Sequence, residues 1–146
     1  MKLGLGLYRH MLTPENFRFA RQLGCTHIVA HWTDYFREGA RIPGSSSSGP
    51  GWGVLDNRER PWTLDELLAL REAVNAEGLT LEAIENFDPS HWHDVLLDGP
   101  NKAVQLERLK ETIRIVGQAA IPIMGYNFSI AGVWGHVVGP WARGGA

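Results

Sequence analysis

Cysteine is almost absent from this sequence, which contains only Cys25 among its 146 residues. A single cysteine cannot form an internal disulfide, and such a composition is typical of a reducing compartment. Free cysteines are usually buried, so Cys25 is expected to lie in the core beside the second predicted strand. The amino terminus leads directly into a strand pattern, without a separate apolar stretch and cleavage site, so no signal peptide is predicted. Together these features predict a cytoplasmic protein.

Two further absences argue against particular classes of binding partner. Fourteen Lys and Arg residues are scattered among 16 acidic residues, the net charge is −2, and no basic stripe is present that could neutralise phosphates. Nucleic acid is therefore not an expected partner. No apolar run approaches the roughly 20 residues needed to cross a bilayer, so no membrane association is expected. The hydrophobic share of 44% and the charged share of 21% indicate one globular domain.

The sequence does contain a repeated strand pattern. Apolar runs suited to buried strands occur at residues 2–8, 26–32, 79–86 and 121–128, and turn-forming or helix-starting residues separate them. Each run ends in polar or aromatic side chains. The sequence therefore predicts four strands with potential binding groups at their carboxyl ends.

Helical patterns alternate with these strands. Thr13 followed by Pro14 predicts the start of one helix, and Thr63 with Glu66 predicts a capping box at the start of the next. A third helix is predicted over residues 100–119. The residues expected to face the core are Leu64, Leu67, Leu68 and Val74 in the second helix, and Leu106, Leu109, Ile113 and Val116 in the third.

This alternation of strands and helices predicts an α/β fold with a parallel sheet and right-handed crossovers. Two architectures fit, a complete four-stranded doubly wound sheet and a partial (β/α)8 TIM barrel with about four parallel strands. No helix pattern follows the fourth strand, although parallel sheets are normally covered on both faces. We therefore expect residues 1–146 to be the amino-terminal half of a single truncated barrel domain. A low-complexity stretch within residues 38–60 is expected to form a flexible loop, either a lid or a plain linker.

The polar side chains at the strand ends are the candidate binding residues. The carboxyl ends of parallel strands meet at one rim, where catalytic groups collect. Amides and carboxylates bind hydroxyl groups, an arginine can hold a carboxylate through two bonds, and aromatic rings can lie against C–H surfaces. This set fits a polyhydroxylated substrate. The predicted substrate-binding residues are Arg9, His10, His31, Trp32, Asn86, Tyr126 and Asn127, with Trp134 and His136 in the Gly-rich tail.

Glu85 is the strongest single candidate for chemistry. A carboxylate at the end of an apolar strand must be paired, solvated or bound to a metal, so Glu85 is predicted to be catalytic, with a structural ion pair as the alternative. His27, early in its strand, is expected to be structural. His91 and His93 form a His-x-His pair without a nearby third ligand, and they are expected to lie on a loop surface. No metal ligand is assigned within this sequence.

Four segments carry a family resemblance. The second strand ends in His31, residues 62–66 open a helix, residues 81–85 form the third strand, and Tyr126-Asn127-Phe128 ends the fourth. Together they resemble the amino-terminal half of mannonate dehydratases, which are (β/α)8 barrels related to the xylose-isomerase-like enzymes. The resemblance extends over nearly all of this chain.

The resemblance implies a lyase that removes water from D-mannonate to give 2-keto-3-deoxy-D-gluconate in hexuronate (glucuronate) catabolism. It also implies a divalent metal, manganese or iron, whose His, Cys and Asp ligands lie on later strands that this sequence lacks. Cys25 is not one of those ligands. The expected partner is a small sugar acid, homo-oligomer formation stays open, and residues 1–146 alone are expected to be inactive.

Two alternatives remain at this stage. The first is a sugar isomerase or epimerase of the same barrel superfamily, with Glu85 as a metal ligand or acid–base group. The second is a non-catalytic half-barrel that pairs with a partner or with itself, because the open edges of a half-barrel sheet invite association.

Overall fold

Strands and helices alternate along the computed structural model, which describes residues 1–33 and 60–127. The strands are β1 (Gly4–Tyr8), β2 (His27–His31), β3 (Thr80–Glu85) and β4 (Ile123–Gly125), and the helices are α1 (Pro14–Gln22), α2 (Leu64–Ala76), α3 (His93–Leu97) and α4 (Lys102–Gln118). Short 3-10 turns occupy Arg9–Met11, after β1, and Pro89–His91, before α3. Apart from Arg60, the predicted flexible loop at 38–60 lies outside the described residues.

The four strands form one parallel sheet in the order β1-β2-β3-β4. This order follows the sequence without reversal, as in a β/α barrel, whereas a doubly wound sheet reverses its strand order at a switch point. The predicted α/β fold with four barrel-type parallel strands is therefore confirmed. A register shift between Ile28 and Val29 on β2 interrupts the pairing with β3.

The main core lies between one face of the sheet and the helices. Ile28 and Ala30 of β2 are fully buried, and Phe17 of α1 with Leu67 and Val74 of α2 belong to the same cluster. These side chains come from alternate positions of a strand and from one stripe of each helix, which is the pattern that amphipathic elements require. The predicted burial of Cys25 is confirmed, because this residue is part of the same core.

The predicted helix starts are confirmed in atomic detail. The Thr13 hydroxyl accepts a hydrogen bond from the Asn16 backbone N–H at the start of α1. At the start of α2, the Glu66 N–H donates to the Thr63 hydroxyl oxygen at 3.2 Å, and the Thr63 N–H donates to the Glu66 carboxylate at 2.8 Å. Such reciprocal bonds satisfy backbone donors that have no partner inside the helix.

The predicted buried stripe of α2 needs one correction. Leu67 and Val74 are buried as expected, but Leu70 is also buried, while Leu64 and Leu68 are only partly buried. Leu70 lies three residues beyond Leu67 and four before Val74, so it continues the stripe that faces the sheet.

The predicted buried face of α4 is half wrong. Leu109 and Val116 are buried, but Leu106 is 36% exposed and Ile113 is 53% exposed. Buried polar residues take the positions that these two were expected to occupy, namely Gln105 and Thr112. The face is rotated because α4 packs against α3 and the turn before it, whose backbone groups bind Gln105.

None of the helices in the described part of the chain is both long enough and apolar enough to span a membrane.

Candidate functional site

A row of paired residues crosses the sheet at the carboxyl ends of the strands. Tyr8 of β1 pairs with His31 of β2, His31 pairs with Glu85 of β3, and Glu85 pairs with Gly125 of β4. Parallel pairing at matched register therefore brings side chains from the whole length of the described chain to one rim. This row includes the predicted catalytic residue Glu85 and the predicted binding residue His31.

His31 and Glu85 form the central contact of the row. The His31 Nε2 atom lies 3.2 Å from Glu85 Oε2, and the side chains are 17% and 41% exposed, respectively. The Tyr8 ring packs against the imidazole, with ring centroids 4.9 Å apart. The imidazole is thus held on one side by an aromatic ring and presents a nitrogen to the carboxylate. A partly exposed carboxylate oriented in this way is suited to proton transfer.

Glycines flank this pair on both neighbouring strands. A Cβ atom added to Gly6 would lie 3.7 Å from His31 Nε2, and one added to Gly125 would lie 3.5 Å from Glu85 Cγ. Both distances are ordinary van der Waals contacts. Glycine at these two positions therefore places no side chain next to the pair, and β1 contacts the pair through the Tyr8 ring instead.

Arg9 and Trp32 form a second contact at the rim. The Arg9 guanidinium donates to the Trp32 carbonyl oxygen at 3.1 Å and lies over the Trp32 ring, 4.7 Å from its centroid. Trp62, which precedes α2, packs edge-on against Trp32. His10 stacks on the Tyr8 ring with centroids 6.3 Å apart. Arg9 is therefore held by a cation–π contact and a hydrogen bond. Because its side chain is already ordered, it would lose less conformational entropy on binding a carboxylate.

Asn86 and Asn127 connect the ends of β3 and β4. The Asn127 side-chain N–H donates to the Asn86 side-chain oxygen at 3.2 Å, and the Asn86 backbone N–H donates to the Gly125 carbonyl at 2.9 Å. Tyr126 is exposed, and its ring contacts Phe87 with centroids 6.0 Å apart. Eight of the predicted site residues thus lie at one end of the sheet: Arg9, His10, His31, Trp32, Glu85, Asn86, Tyr126 and Asn127.

Thr33 also contributes to this rim, although it was not predicted from the sequence. This residue follows Trp32, is 1% exposed, and donates its hydroxyl to the Asn86 carbonyl oxygen at 3.2 Å. A polar residue close to a strand end was the available signal, but its partner after β3 could not be identified from local spacing.

Comparisons with known proteins identify the family of this chain. The sequence model of the family described as D-mannonate dehydratase (UxuA) matches residues 41–137. The chain belongs to the mannonate dehydratase family. The matched residues include Glu85, Asn86, Tyr126 and Asn127, whereas Arg9 and His31 precede them.

Curated mannonate dehydratases match a shorter segment. The protein from Thermotoga petrophila is 37% identical over 67 residues, which make up 46% of this chain and 18% of the relative. The protein from Streptococcus suis is 39% identical over 67 residues, with the same two coverages of 46% and 18%. The matched segment of this chain thus spans less than a fifth of the length of these relatives.

A solved structure of the family extends the comparison. The crystal structure of mannonate dehydratase from Streptococcus suis serotype 2 superposes with a TM-score of 0.56 at 25% sequence identity. The superposition covers 88% of this chain and 30% of that mannonate dehydratase chain. The fold match therefore includes most of this chain and less than a third of the family member.

The described residues do not by themselves form a metal centre. Within residues 1–33 and 60–127, no three side chains of His, Cys, Asp or Glu come together as a metal-binding group. His27, expected to be structural, lies 3.5 Å from Glu82, which also pairs with Lys2 near the opposite end of the strands. The predicted binding residues Trp134 and His136 lie outside the described residues.

The prediction that His91 and His93 lie on a loop surface is wrong. His91 is in the 3-10 turn and is 2% exposed, and His93 begins α3 with its side chain partly buried. Gln105 of α4 explains this burial, because its side chain bonds the Ser90 carbonyl and the Asp94 N–H and contacts His93 Nδ1 at 3.2 Å. A polar partner on the following helix thus satisfies groups that local sequence would leave in solvent.

Proposed function

We propose that this chain forms part of a mannonate dehydratase that removes water from D-mannonate to give 2-keto-3-deoxy-D-gluconate, in hexuronate catabolism. The observation that carries the proposal is the His31–Glu85 contact at the carboxyl ends of β2 and β3. Membership of the mannonate dehydratase family supplies the reaction type. In barrels of this kind, groups at the carboxyl ends of strands form the active site.

The proposed role of Glu85 is proton transfer. In this reaction the C2–H bond next to the substrate carboxylate breaks, the C3–O bond breaks as its hydroxyl takes up a proton and leaves as water, and the resulting enol tautomerises to a 2-keto acid. Glu85 is proposed as the base that takes the C2 proton, because its carboxylate is partly exposed and His31 Nε2 holds it at 3.2 Å. His31 then stabilises the charged carboxylate before the transfer.

The remaining rim residues are proposed to bind the sugar acid. Arg9, which lies over Trp32, is proposed to hold the substrate carboxylate, and aromatic faces suit the C–H surfaces of the carbon chain. Asn86 and Asn127 can bond hydroxyl groups. The proposed binding set also includes His10, His31, Tyr126, Trp134 and His136.

A divalent metal, manganese or iron, is also proposed. Its ligands are expected to lie outside the described residues. When bound, such an ion supplies electrostatic stabilisation of oxygen atoms that become more negative during the reaction. A cytoplasmic location is also proposed, supported by the single cysteine.

The test uses the complete protein that contains this sequence, incubated with D-mannonate and Mn²⁺, with the product identified by mass. A keto-deoxy acid lighter than the substrate by one water is expected, and Glu85→Gln is expected to abolish most of its formation. A product of unchanged mass would contradict dehydration and favour an isomerase or epimerase. No product from D-mannonate would contradict the proposal, and sedimentation would then examine a self-pairing half-barrel.

A further inference from the structure

Asn86 has an unusual backbone conformation at the centre of the rim. It is the first residue after β3, its φ is +67°, and it is 6% exposed. Side-chain-bearing residues rarely adopt the left-handed region, although asparagine does so more readily than most. Residues kept in such conformations cluster at functional sites and persist where surrounding contacts hold them.

Contacts from two neighbouring strand ends hold Asn86 in place. From β4, Gly125 accepts the Asn86 backbone N–H at 2.9 Å, and the Asn127 side chain donates to the Asn86 side-chain oxygen at 3.2 Å. From the end of β2, the Thr33 hydroxyl donates to the Asn86 carbonyl oxygen at 3.2 Å. The backbone N–H, the carbonyl and the side-chain oxygen are therefore all engaged.

The side-chain N–H₂ group is the remaining polar group of Asn86. No residue of the described ranges accepts a hydrogen bond from this group, and its nitrogen is not one of the buried side-chain atoms that lack a partner, so it is open to solvent at the rim. An amide N–H₂ group that is open to solvent beside Glu85 is suited to donate a hydrogen bond to an arriving acceptor. Hydroxyl and carboxylate oxygens of a sugar acid are acceptors of this kind.

We propose that Thr33 is a positioning residue, which fixes the left-handed Asn86 peptide so that the Asn86 amide donates to an oxygen of the bound sugar acid. This inference rests on the function proposed above. Thr33 does not touch the substrate, and it acts through the carbonyl that it bonds. Asn127 supports the same arrangement because it donates a hydrogen bond to the Asn86 side-chain oxygen. The Asn86 side-chain nitrogen is then the group that binds the ligand.

The first test compares Thr33→Val with Thr33→Ser in the complete protein, with D-mannonate as the substrate. Valine keeps the shape and removes the donor, so KM is expected to rise about tenfold, with a smaller change in kcat, if one neutral hydrogen bond is lost. Serine keeps the donor and is expected to restore KM to within about threefold of the original value. The matched control is Thr112→Val, since Thr112 is also 1% exposed but bonds Arg108 within α4.

Equal KM values for Thr33→Val and the unmodified protein would overturn the positioning role, as would equal impairment by valine and serine. An equal rise in Thr112→Val would also overturn it, because general destabilisation would then explain the effect. A crystal structure of Thr33→Val gives a readout independent of turnover. Asn86 is expected to leave the left-handed region there, and an unchanged φ near +67° would overturn the proposal.

The second test separates ligand binding from a purely structural role of Asn86. Glycine adopts positive φ without strain, so Asn86→Gly is expected to keep or raise the melting temperature while KM rises at least tenfold. An unchanged KM would show that Asn86 only turns the chain. Failure of the unmodified protein to convert D-mannonate would contradict the proposed function instead, and the crystal structure of Thr33→Val would still decide the positioning role.

Discussion

The His31 Nε2 atom lies 3.2 Å from Glu85 Oε2, across neighbouring parallel strands at register-paired positions. Because both residues belong to regular strands, their backbone positions are fixed by the sheet, and the Tyr8 ring limits movement of the imidazole. A site built on strands is held more rigidly than one built on loops. The contact therefore connects the sheet topology directly to the proposed chemistry.

Glu85→Gln is expected to lower kcat for D-mannonate dehydration by about 10²–10⁴-fold, the usual contribution of a general acid or base. Glutamine keeps the shape of the side chain but cannot accept the proton. Steady-state kinetics of the complete protein would measure the loss, and a melting curve close to that of the unmodified protein would show that the fold is intact. Turnover within a few-fold of normal would contradict a catalytic role.

His31 and Glu85 are expected to act as one unit. Removing either partner of such a unit costs nearly as much activity as removing both, so the effects of His31→Gln and Glu85→Gln on kcat/KM should not multiply. A double-mutant cycle would measure this coupling. Multiplicative losses in the double variant would show that the two residues contribute independently.

Leu109 and Leu106 of α4 provide a matched test of which helix face is buried. Leu109→Ala, at a position that is 7% exposed, is expected to destabilise the protein by about 2–5 kcal/mol through lost burial and a cavity. Leu106→Ala, at a position that is 36% exposed, is expected to cost less than about 1 kcal/mol. Denaturant unfolding of both variants would measure this, and equal losses would contradict the described orientation of α4.

Gln105 is expected to be essential for the packing of α3 on α4. Its side-chain oxygen accepts the Asp94 N–H at 2.8 Å, so Gln105→Met would leave a buried donor without its acceptor, at a cost of about 1–3 kcal/mol. Gln118→Met, at an exposed position at the end of the same helix, is the control and should change stability little. Similar unfolding free energies for the two variants would refute this role.

Glu66 is expected to make stability depend on pH at the start of α2. A hydrogen bond from Arg60 is the main cause that lowers the pKa of Glu66 from 4.5 to about 2, and bonds from Thr63 act in the same direction. The pKa of Glu66 is lower in the folded protein than in the unfolded chain. This stabilisation is therefore fully present above pH 4.5 and is lost as the pH falls towards about 2.

Glu66→Gln should therefore lower the melting temperature at pH 7, and the difference from the unmodified protein should shrink as the pH approaches 2. Glu72→Gln removes an equal charge from an exposed position on the same helix and serves as the control. Thermal unfolding followed by circular dichroism across this pH range would measure both. A difference that stayed constant with pH would contradict the proposed interaction.

Local features of the fold were predicted accurately from the sequence. The Thr63–Glu66 capping box and the Thr13 N-cap depend on residues within three or four positions of each other, so their geometry follows from the sequence alone. The strands were also predicted, since each is a short apolar run between turn or cap residues. Their alternation with helices predicted a parallel sheet, and with it a shared rim for Glu85 and His31.

Long-range partners were predicted poorly. Leu106 and Ile113 fit an apolar helical stripe as well as Leu109 does. The periodicity of apolar residues therefore could not show that Gln105 would be buried on the same face as Leu109. His91 was expected in solvent because its local sequence contains turn formers. Its burial depends on α4 packing over the preceding turn, a tertiary contact that turn-forming residues do not predict.

The sequence by itself determined the strands, the helix starts and the polar residue types at the strand ends, because hydrophobic period and capping chemistry act over a few residues. Only the tertiary structure decided that Glu85 meets His31, that Thr33 bonds Asn86, and that Asn86 adopts a left-handed conformation. These contacts join residues more than 50 positions apart. Such contacts depend on strand register and helix packing, which no local pattern specifies.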